Sequence, residues 1–329
     1  MKARLFCGID TSNYTTSVSL VTETGQLLLN RKMLLPVEEG ARGLRQSVAV
    51  FHHVKQLPVL AEDLRAAMDA ASLYGEIAAV GVSSAPRDTM GSYMPCFLSG
   101  IAAAEIAGAL IRVPVLHFSH QAGHIMAALF SAGKMEWMNA PFIAFHVSGG
   151  TTEVLHVCPS AETVFAVEKV GGTRDINAGQ LIDRTGVAMG LRFPAGAEME
   201  RLASGSTGRI PTVKLSVSGM ECNLSGLENK AVQLYESTKD PAVVSVFVLH
   251  SVGRTLTAMR DGVREKYGEI PILYAGGVMS CGLIKEMLQE ENAAFSEPAL
   301  SSDNAVGAAL LARYRTLDDV NMKTLEALV

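Results

Sequence analysis

A strand–polar turn–strand unit occurs twice in this chain, about 135 residues apart, and it constrains the fold more than any other feature. Leu5–Asp10 (LFCGID) is apolar and runs into the polar turn Thr11–Thr15. Thr16–Val21 (TSVSLV) then alternates with the period of a half-buried strand. In the second copy Pro141–His146 (PFIAFH) is the strand, Val147–Thr152 the turn and Glu153–Val157 (EVLHV) the return strand. A unit repeated at this distance points to an internally duplicated fold. Around the two copies, strand and helix patterns alternate. Leu57–Ala70, Tyr93–Ile111, Gln121–Ala132, Asp183–Met189, Gly196–Ala203, Pro241–Glu265 and Ser302–Arg315 read as helices. Ile77–Ser84, Val113–Phe118 and Ile270–Ala275 read as strands. Alternation of this kind is the mark of an α/β protein with helix-covered sheets.

A length of 329 residues favours two lobes. The boundary falls near Gly133–Ala140, giving lobes over 1–135 and 140–329, with the last helix (about 304–329) able to pack back on the first. Residues 204–240, rich in Ser, Gly and Lys, are the least regular part and read as a mobile insert. The longest apolar stretches, such as Ile101–Leu110, are short and interrupted, and the N-terminus reads straight into a strand. Neither a membrane partner nor a secretory leader is expected. Five scattered cysteines with no C-x-x-C pair read as free thiols in a reducing, cytoplasmic setting. A net charge of −5 argues against a dedicated nucleic-acid coat. The basic segment Arg42–Lys55 reads as a solvated amphipathic helix or a local phosphate-binding patch.

The short polar turns are the first candidate sites. Backbone amides in a tight Gly/Ser/Thr turn form a concavity that favours anions, and small side chains let phosphate approach. Ser148-Gly149-Gly150-Thr151-Thr152 fits, as does Asp10-Thr11-Ser12-Asn13, where Asp10 can orient a metal-bound water or a hydroxyl. Gly276-Gly277 follows a buried strand, the usual place for a ribose or adenine contact in a doubly wound sheet. An ordinary hairpin turn is the alternative for each. His120 and His124, four residues apart at the start of a helix, lie on one helical face and suit a transition metal. Such a pair normally needs a carboxylate. Asp303, just before a helix, can serve as one or as a helix cap. His52 and His53 are adjacent and read as non-metal. With no H-E-x-x-H, a zinc protease would lack its general base.

Taken in order, these residues resemble the TsaD family of tRNA threonylcarbamoyladenosine synthases, once labelled glycoproteases. The family's H-x-E-G-H motif is similar to His120-Gln121-Ala122-Gly123-His124, and its S-G-G-x-T loop to Ser148–Thr152. Its D-x-A-A-G-E-A-F-D-K stretch resembles Asp175–Arg184, and Y-P-G-G-P resembles Phe193–Ala197. S-G-L-K resembles Ser225–Glu228, G-G-V matches Gly276–Val278, and T-D-N-A resembles Ser302–Ala305. The resemblance implies a duplicated actin-like ATPase (ASKHA, RNase H-like) α/β fold with a nucleotide and metal cleft between the lobes. It implies one divalent ion, Fe or Zn, on His120, His124 and Asp303. An ATP- or AMP-type nucleotide is implied on Ser148, Gly149, Gly150, Thr151, Gly179, Asp183, Gly196, Gly276 and Gly277. The implied reaction moves a threonylcarbamoyl group from its adenylate to adenosine in tRNA, with small accessory proteins of the tRNA-modification complex as partners. Asp10, Thr11, Ser12 and Tyr14 are then the candidate catalytic residues.

The chain departs from the family pattern at four places. The acidic pair of I-E-T-S-C-D-E-T becomes Tyr14 and Thr15, and the G-P-G-L turn becomes Ala85-Pro86-Arg87-Asp88. The nucleotide-side Glu is Gln180, and an Asn is Cys281. Two alternatives therefore stay open. One is a divergent paralogue that keeps nucleotide and metal but serves another transfer or a regulatory role. The other is an actin-like small-molecule kinase with Asp10 as base.

Overall fold

The computed structural model describes residues 4–12, 14–36, 44–70, 76–205, 212–300 and 304–326, with side chains to residue 317. It divides into two compact units. The first comprises 1–127, 160–166 and 303–329, and the second 128–159 and 167–302.

In the first unit, β1 (Arg4–Asp10), β2 (Thr15–Thr22) and β3 (Leu27–Leu34) form an antiparallel meander. Next come α1 (Gln46–Ala70), β4 (Glu76–Ala85), α2 (Phe97–Ile111), β5 (Val115–Ser119) and α3 (His120–Ser131). The sheet order is β3-β2-β1-β4-β5, with β4 parallel to both β1 and β5. Every residue of β2 is buried, as a strand covered on both faces must be. One face carries Cys7, Ile9 and Val18 into an apolar cluster with Leu60 of α1 and Ala104 of α2. On the other face Ser19 Oγ donates to Ala305 O at 2.8 Å.

Two sequence expectations shift here. Leu57–Ala70 is the C-terminal half of a longer helix that starts at Gln46 and runs through Pro58. Proline in a helix removes one i→i−4 bond, a local cost of roughly 3 kcal/mol. Burial of Ala49 and Leu60, on either side of the proline, contributes against that cost. Most of the basic segment Arg42–Lys55 therefore belongs to α1; its first two residues lie outside the described set. The second helix begins at Phe97, not Tyr93. Pro95 biases Met94 away from helical geometry, which delays the start.

The second unit contains β6 (Phe142–Val147), β7 (Thr152–Ser160) and β8 (Val164–Thr173), apart from the 160–166 stretch that groups with the first unit, then α4 (Ala178–Ala188), α5 (Gly196–Ser204), β9 (Ser216–Ser218), β10 (Glu221–Asn223), α6 (Ser225–Thr238), α7 (Pro241–Tyr267), β11 (Ile272–Ala275), α8 (Gly282–Leu288) and β12 (Ala293–Phe295). The chain ends with α9 (Val306–Glu326), which belongs to the first unit. The second sheet has the order β12-β11-β6-β7-β8-β10-β9. Its stretch β8-β7-β6-β11-β12 repeats β3-β2-β1-β4-β5 of the first sheet, and β9–β10 extends it. This is the duplicated actin-like fold.

The expectation of a mobile insert over 204–240 gives way to order. The hairpin β9–β10 and helix α6 fill most of it, with Cys222, Leu224, Leu227 and Ala231 in the main core; residues 206–211 lie outside the described set. Serines and lysines obscured a helix whose apolar positions are few but correctly spaced. α7 is long and apolar enough to cross a membrane by length and composition. Its buried residues, among them Val244, Phe247, Val248, Val252 and Leu256, instead line the core of the second unit.

Candidate functional site

The first candidate site lies at the end of β1. Asp10 is fully buried, and both its oxygens are engaged. Oδ2 accepts from Ser12 Oγ at 2.6 Å, and Oδ1 lies 3.2 Å from His120 Nδ1. β5 ends at Ser119 and α3 begins at His120 with no residue between. One turn on, His124 Nε2 stands 2.9 Å from His120 Nε2. A carboxylate on Nδ1 favours the tautomer in which His120 carries its proton there and presents a bare lone pair at Nε2. The side-chain spacing read from the sequence is therefore realised, with the two Nε2 atoms facing each other.

A tetrahedral ion at about 2.0–2.1 Å from each of two imidazole nitrogens needs them about 3.3 Å apart. The observed separation is a few tenths shorter, so the pair fits a borderline-soft ion such as Zn or Fe with modest adjustment. Among the described residues no group of three His, Cys, Asp or Glu side chains converges on such a point. Asp303 lies outside the described residues. The start of α9, just after it, is pressed against α3, since a Cβ on Gly307 would sit 1.9 Å from Gly123 O. At that start Asn304 Oδ1 accepts from Val306 N at 3.0 Å, so a side-chain cap is present without Asp303.

The other members of the first loop diverge. Thr11 is buried and turned onto the start of α2. Its Oγ1 donates to Cys96 O at 3.0 Å and accepts from Gly100 N at 3.1 Å. That anchors a helix and leaves the hydroxyl no proton to give. Tyr14 is 43% exposed, and its carbonyl accepts from Leu35 N. The loop after β4 closes on the base of α3: Ser119 Oγ donates to Asp88 Oδ2 at 2.6 Å and accepts from Ala122 N at 3.1 Å. Burial raises the Asp88 carboxyl above its ordinary value, against the bonds from Ser119. His53, read from the sequence as non-metal, is fully buried and bonded to Thr16, with Nδ1 and Oγ1 2.7 Å apart.

The second candidate site is a cavity of about 370 Å³ in the second unit. Gly149, Gly179, Asp183, Gly196 and Gly277 all line it, with Glu200, Ser280 and Cys281. Five residues drawn from four sequence motifs thus line one cavity. The first turn of α4 lies directly on the 148–151 turn. Gly179 N donates to Ser148 O at 3.2 Å, and a Cβ on Gly179 would meet Gly149 N at 2.6 Å. Only glycine permits that approach. Ala178 N donates to Thr152 Oγ1, while Asn177 and Gln180 form a reciprocal capping box on α4. Gln in place of Glu at 180 still accepts from Asn177 N at 3.0 Å, so this departure leaves the cap intact.

The 148–151 turn uses two of its amides internally. The amides of Gly150 and Thr151 point at Ser148 Oγ, at 3.2 and 3.1 Å, rather than outward as an anion nest. Approach remains open over Gly149 and Gly150, where a Cβ would meet nothing within 4 Å. Asp183 Oδ1 accepts from Ala195 N at 2.8 Å, which fixes the carboxylate on the cavity wall. Gly276 adjoins Gly277 and backs onto Val147. Glu200 and Cys281 reach the cavity without a motif of their own. Glu200 Oε1 holds Gly282 N at 2.6 Å, and burial pushes the Cys281 thiol up. A lone Glu inside a helical pattern carries no sequence signal for this.

A family model described as "tRNA N6-adenosine threonylcarbamoyltransferase", TsaD, matches residues 37–310. That span holds both histidines and the whole cavity, and leaves out the first loop. A protein of that name from Streptococcus gordonii is 29% identical over 303 residues, covering 88% of this chain and 85% of its own length. Another from Streptococcus agalactiae is 30% identical over 298 residues, covering 88% and 84%. Among solved structures, full-length HypF in a phosphate- and nucleotide-bound form superposes with a TM-score of 0.57 at 10% identity, over 94% of this chain and 55% of that one. That likeness concerns the fold.

Proposed function

The chain belongs to the TsaD family, and on that premise we propose that it transfers a threonylcarbamoyl group from threonylcarbamoyl-AMP to adenosine in tRNA. The observation that carries this reading is the convergence of Gly149, Gly179, Asp183, Gly196 and Gly277 on one cavity. A cavity of that size admits a nucleoside monophosphate. Asp183, held by Ala195 N through one oxygen, accepts from ribose hydroxyls through the other. The open face over Gly149 and Gly150 lets a phosphate approach the backbone.

In the first unit, His120 and His124 hold one divalent ion, Fe or Zn, with Asp303 as the third ligand. Asp10 acts behind them: it orients His120, and Ser12 holds its second oxygen. When bound, the ion supplies Lewis-acid polarisation of an acyl oxygen. Tyr14 replaces an acidic residue at the exposed edge of the loop, where its hydroxyl can donate to a developing oxyanion. The working place is the cytosol, in keeping with five free thiols and a tRNA acceptor. Small accessory proteins of the modification complex complete the set of partners.

The test is complementation of a strain lacking the tRNA enzyme, with the modified nucleoside read by mass spectrometry. Restored threonylcarbamoyladenosine is the expected result. Its absence from a strain expressing folded protein would overturn the assignment and favour a paralogue serving another acceptor.

A further inference from the structure

The loop after β4 is one of the places where this chain parts from its family, with Ala85-Pro86-Arg87-Asp88 in place of Gly-Pro-Gly-Leu. We propose that Asp88 is a positioning residue for the His120–His124 pair, acting through Ser119 to fix the first turn of α3. The inference rests on the reading of those histidines as metal ligands.

β5 runs to Ser119 and α3 starts at the next residue, so no connecting segment sets the direction of the first helical turn. That direction depends on how the turn's unpaired amides are satisfied. Two of them are held from this side. Gln121 N donates to Pro86 O at 3.1 Å, and Ala122 N donates to Ser119 Oγ at 3.1 Å. A serine hydroxyl rotates freely and has one proton to place. Asp88 Oδ2 takes that proton at 2.6 Å, which turns a lone pair of Oγ towards Ala122. Arg87 N in turn donates to Ser92 Oγ at 3.0 Å, pinning the loop that carries Asp88. His120 stands in this first turn and His124 one turn further, so the facing of their Nε2 atoms at 2.9 Å depends on the cap. The family's turn has leucine where Asp88 stands, a side chain with no acceptor for this contact.

The experiment uses the full chain, stripped of metal and titrated with Co(II) against a chelator, with the visible d–d spectrum as a second signal. Asp88→Ala should weaken Co(II) binding by about 10–100-fold, the usual cost of losing an outer-shell partner, and alter the spectrum. Asp88→Asn, whose amide oxygen can still accept from Ser119, should stay close to wild type. Wild-type affinity and spectrum in Asp88→Ala would overturn the proposal. If that variant does not fold, Ser119→Ala carries the same expectation, and unchanged Co(II) binding there overturns it equally. If the wild-type chain takes up no Co(II), the metal reading itself fails. Positioning is then read from the imidazole 15N shifts of His120 and His124, and shifts unchanged by Asp88→Ala reject it.

Discussion

Hydrogen bonds around His53 fix its tautomer and, with it, a pH dependence. Gln56 Nε2 donates to Leu34 O at 2.9 Å, which turns Gln56 Oε1 towards Thr16. Thr16 gives its only proton to that oxygen at 2.6 Å, so it accepts from His53 Nδ1–H. Nε2 is then a buried acceptor with no hydrogen-bond partner among the described residues. Burial lowers the His53 pKa to about 4, against the charge of Asp10, which raises it. An unfolded histidine titrates near 6.5. Between those values the unfolded chain binds a proton that the native state refuses, so stability falls as pH drops from about 6.5 towards 4. The loss is on the order of 3 kcal/mol at most. Urea midpoints at pH 7, 6 and 5 should therefore decline in the wild type and decline less in His53→Gln. An equally steep decline in the variant would assign the dependence to other groups. Tyr14 belongs to the same scale: with Asp restored there, threonylcarbamoyl transfer should rise. A fall in the Tyr14→Asp variant, measured on tRNA with synthetic adenylate, would show a loop rebuilt for other chemistry.

At the scale of elements, α4 ties the sequence motifs to the cavity. Its N-terminus bears the capping box of Asn177 and Gln180 and rests on the 148–151 turn through Gly179. Removing a cap of this kind costs about 1 kcal/mol. Asn177→Ala should lower the urea midpoint accordingly, whereas Gln180→Glu, which keeps a reciprocal acceptor, should change it little. Equal losses in both would mean that the cap needs the amide itself. α4 also shows what the sequence can and cannot convey. Its C-terminal half was visible as Asp183–Met189, because apolar spacing continues there. Its first turn was hidden because Asn177 and Gly179 flank Ala178, and local propensity assigns both to loops. Helix α1 shows the opposite limit, since Pro58 reads locally as a break and only burial of residues on both sides carries the helix through. Glycine turns and histidine spacing were legible because chemistry fixes them to short stretches. The Asp88–Ser119 bond, Thr11's anchoring of α2 and the cavity positions of Glu200 and Cys281 depend on chain segments remote in sequence.

At the scale of the whole molecule, duplication built two sheets that share a five-strand order and equipped each with different chemistry. The first unit carries the imidazole pair and the second carries the cavity, so each site can be disabled by a substitution within its own unit. His124→Ala removes one of two nitrogens and should reduce bound metal from close to one ion per chain to a small fraction of that, as read by elemental analysis. AMP should still raise the melting temperature of this variant. A ligand at a hundredfold excess over its Kd stabilises the native state by about 2.7 kcal/mol whatever else is bound, provided its own site is intact. Gly179→Val should show the reverse. A Cβ there lies 2.6 Å from Gly149 N, so the 148–151 turn or α4 must move, and the AMP-induced rise should vanish while metal content stays at the wild-type level. Asp183→Ala, which removes the proposed ribose contact and also releases Ala195 N, should lose the AMP-induced rise as Gly179→Val does. If AMP fails to stabilise His124→Ala, the nucleotide depends on the ion, and the two sites must be treated as one.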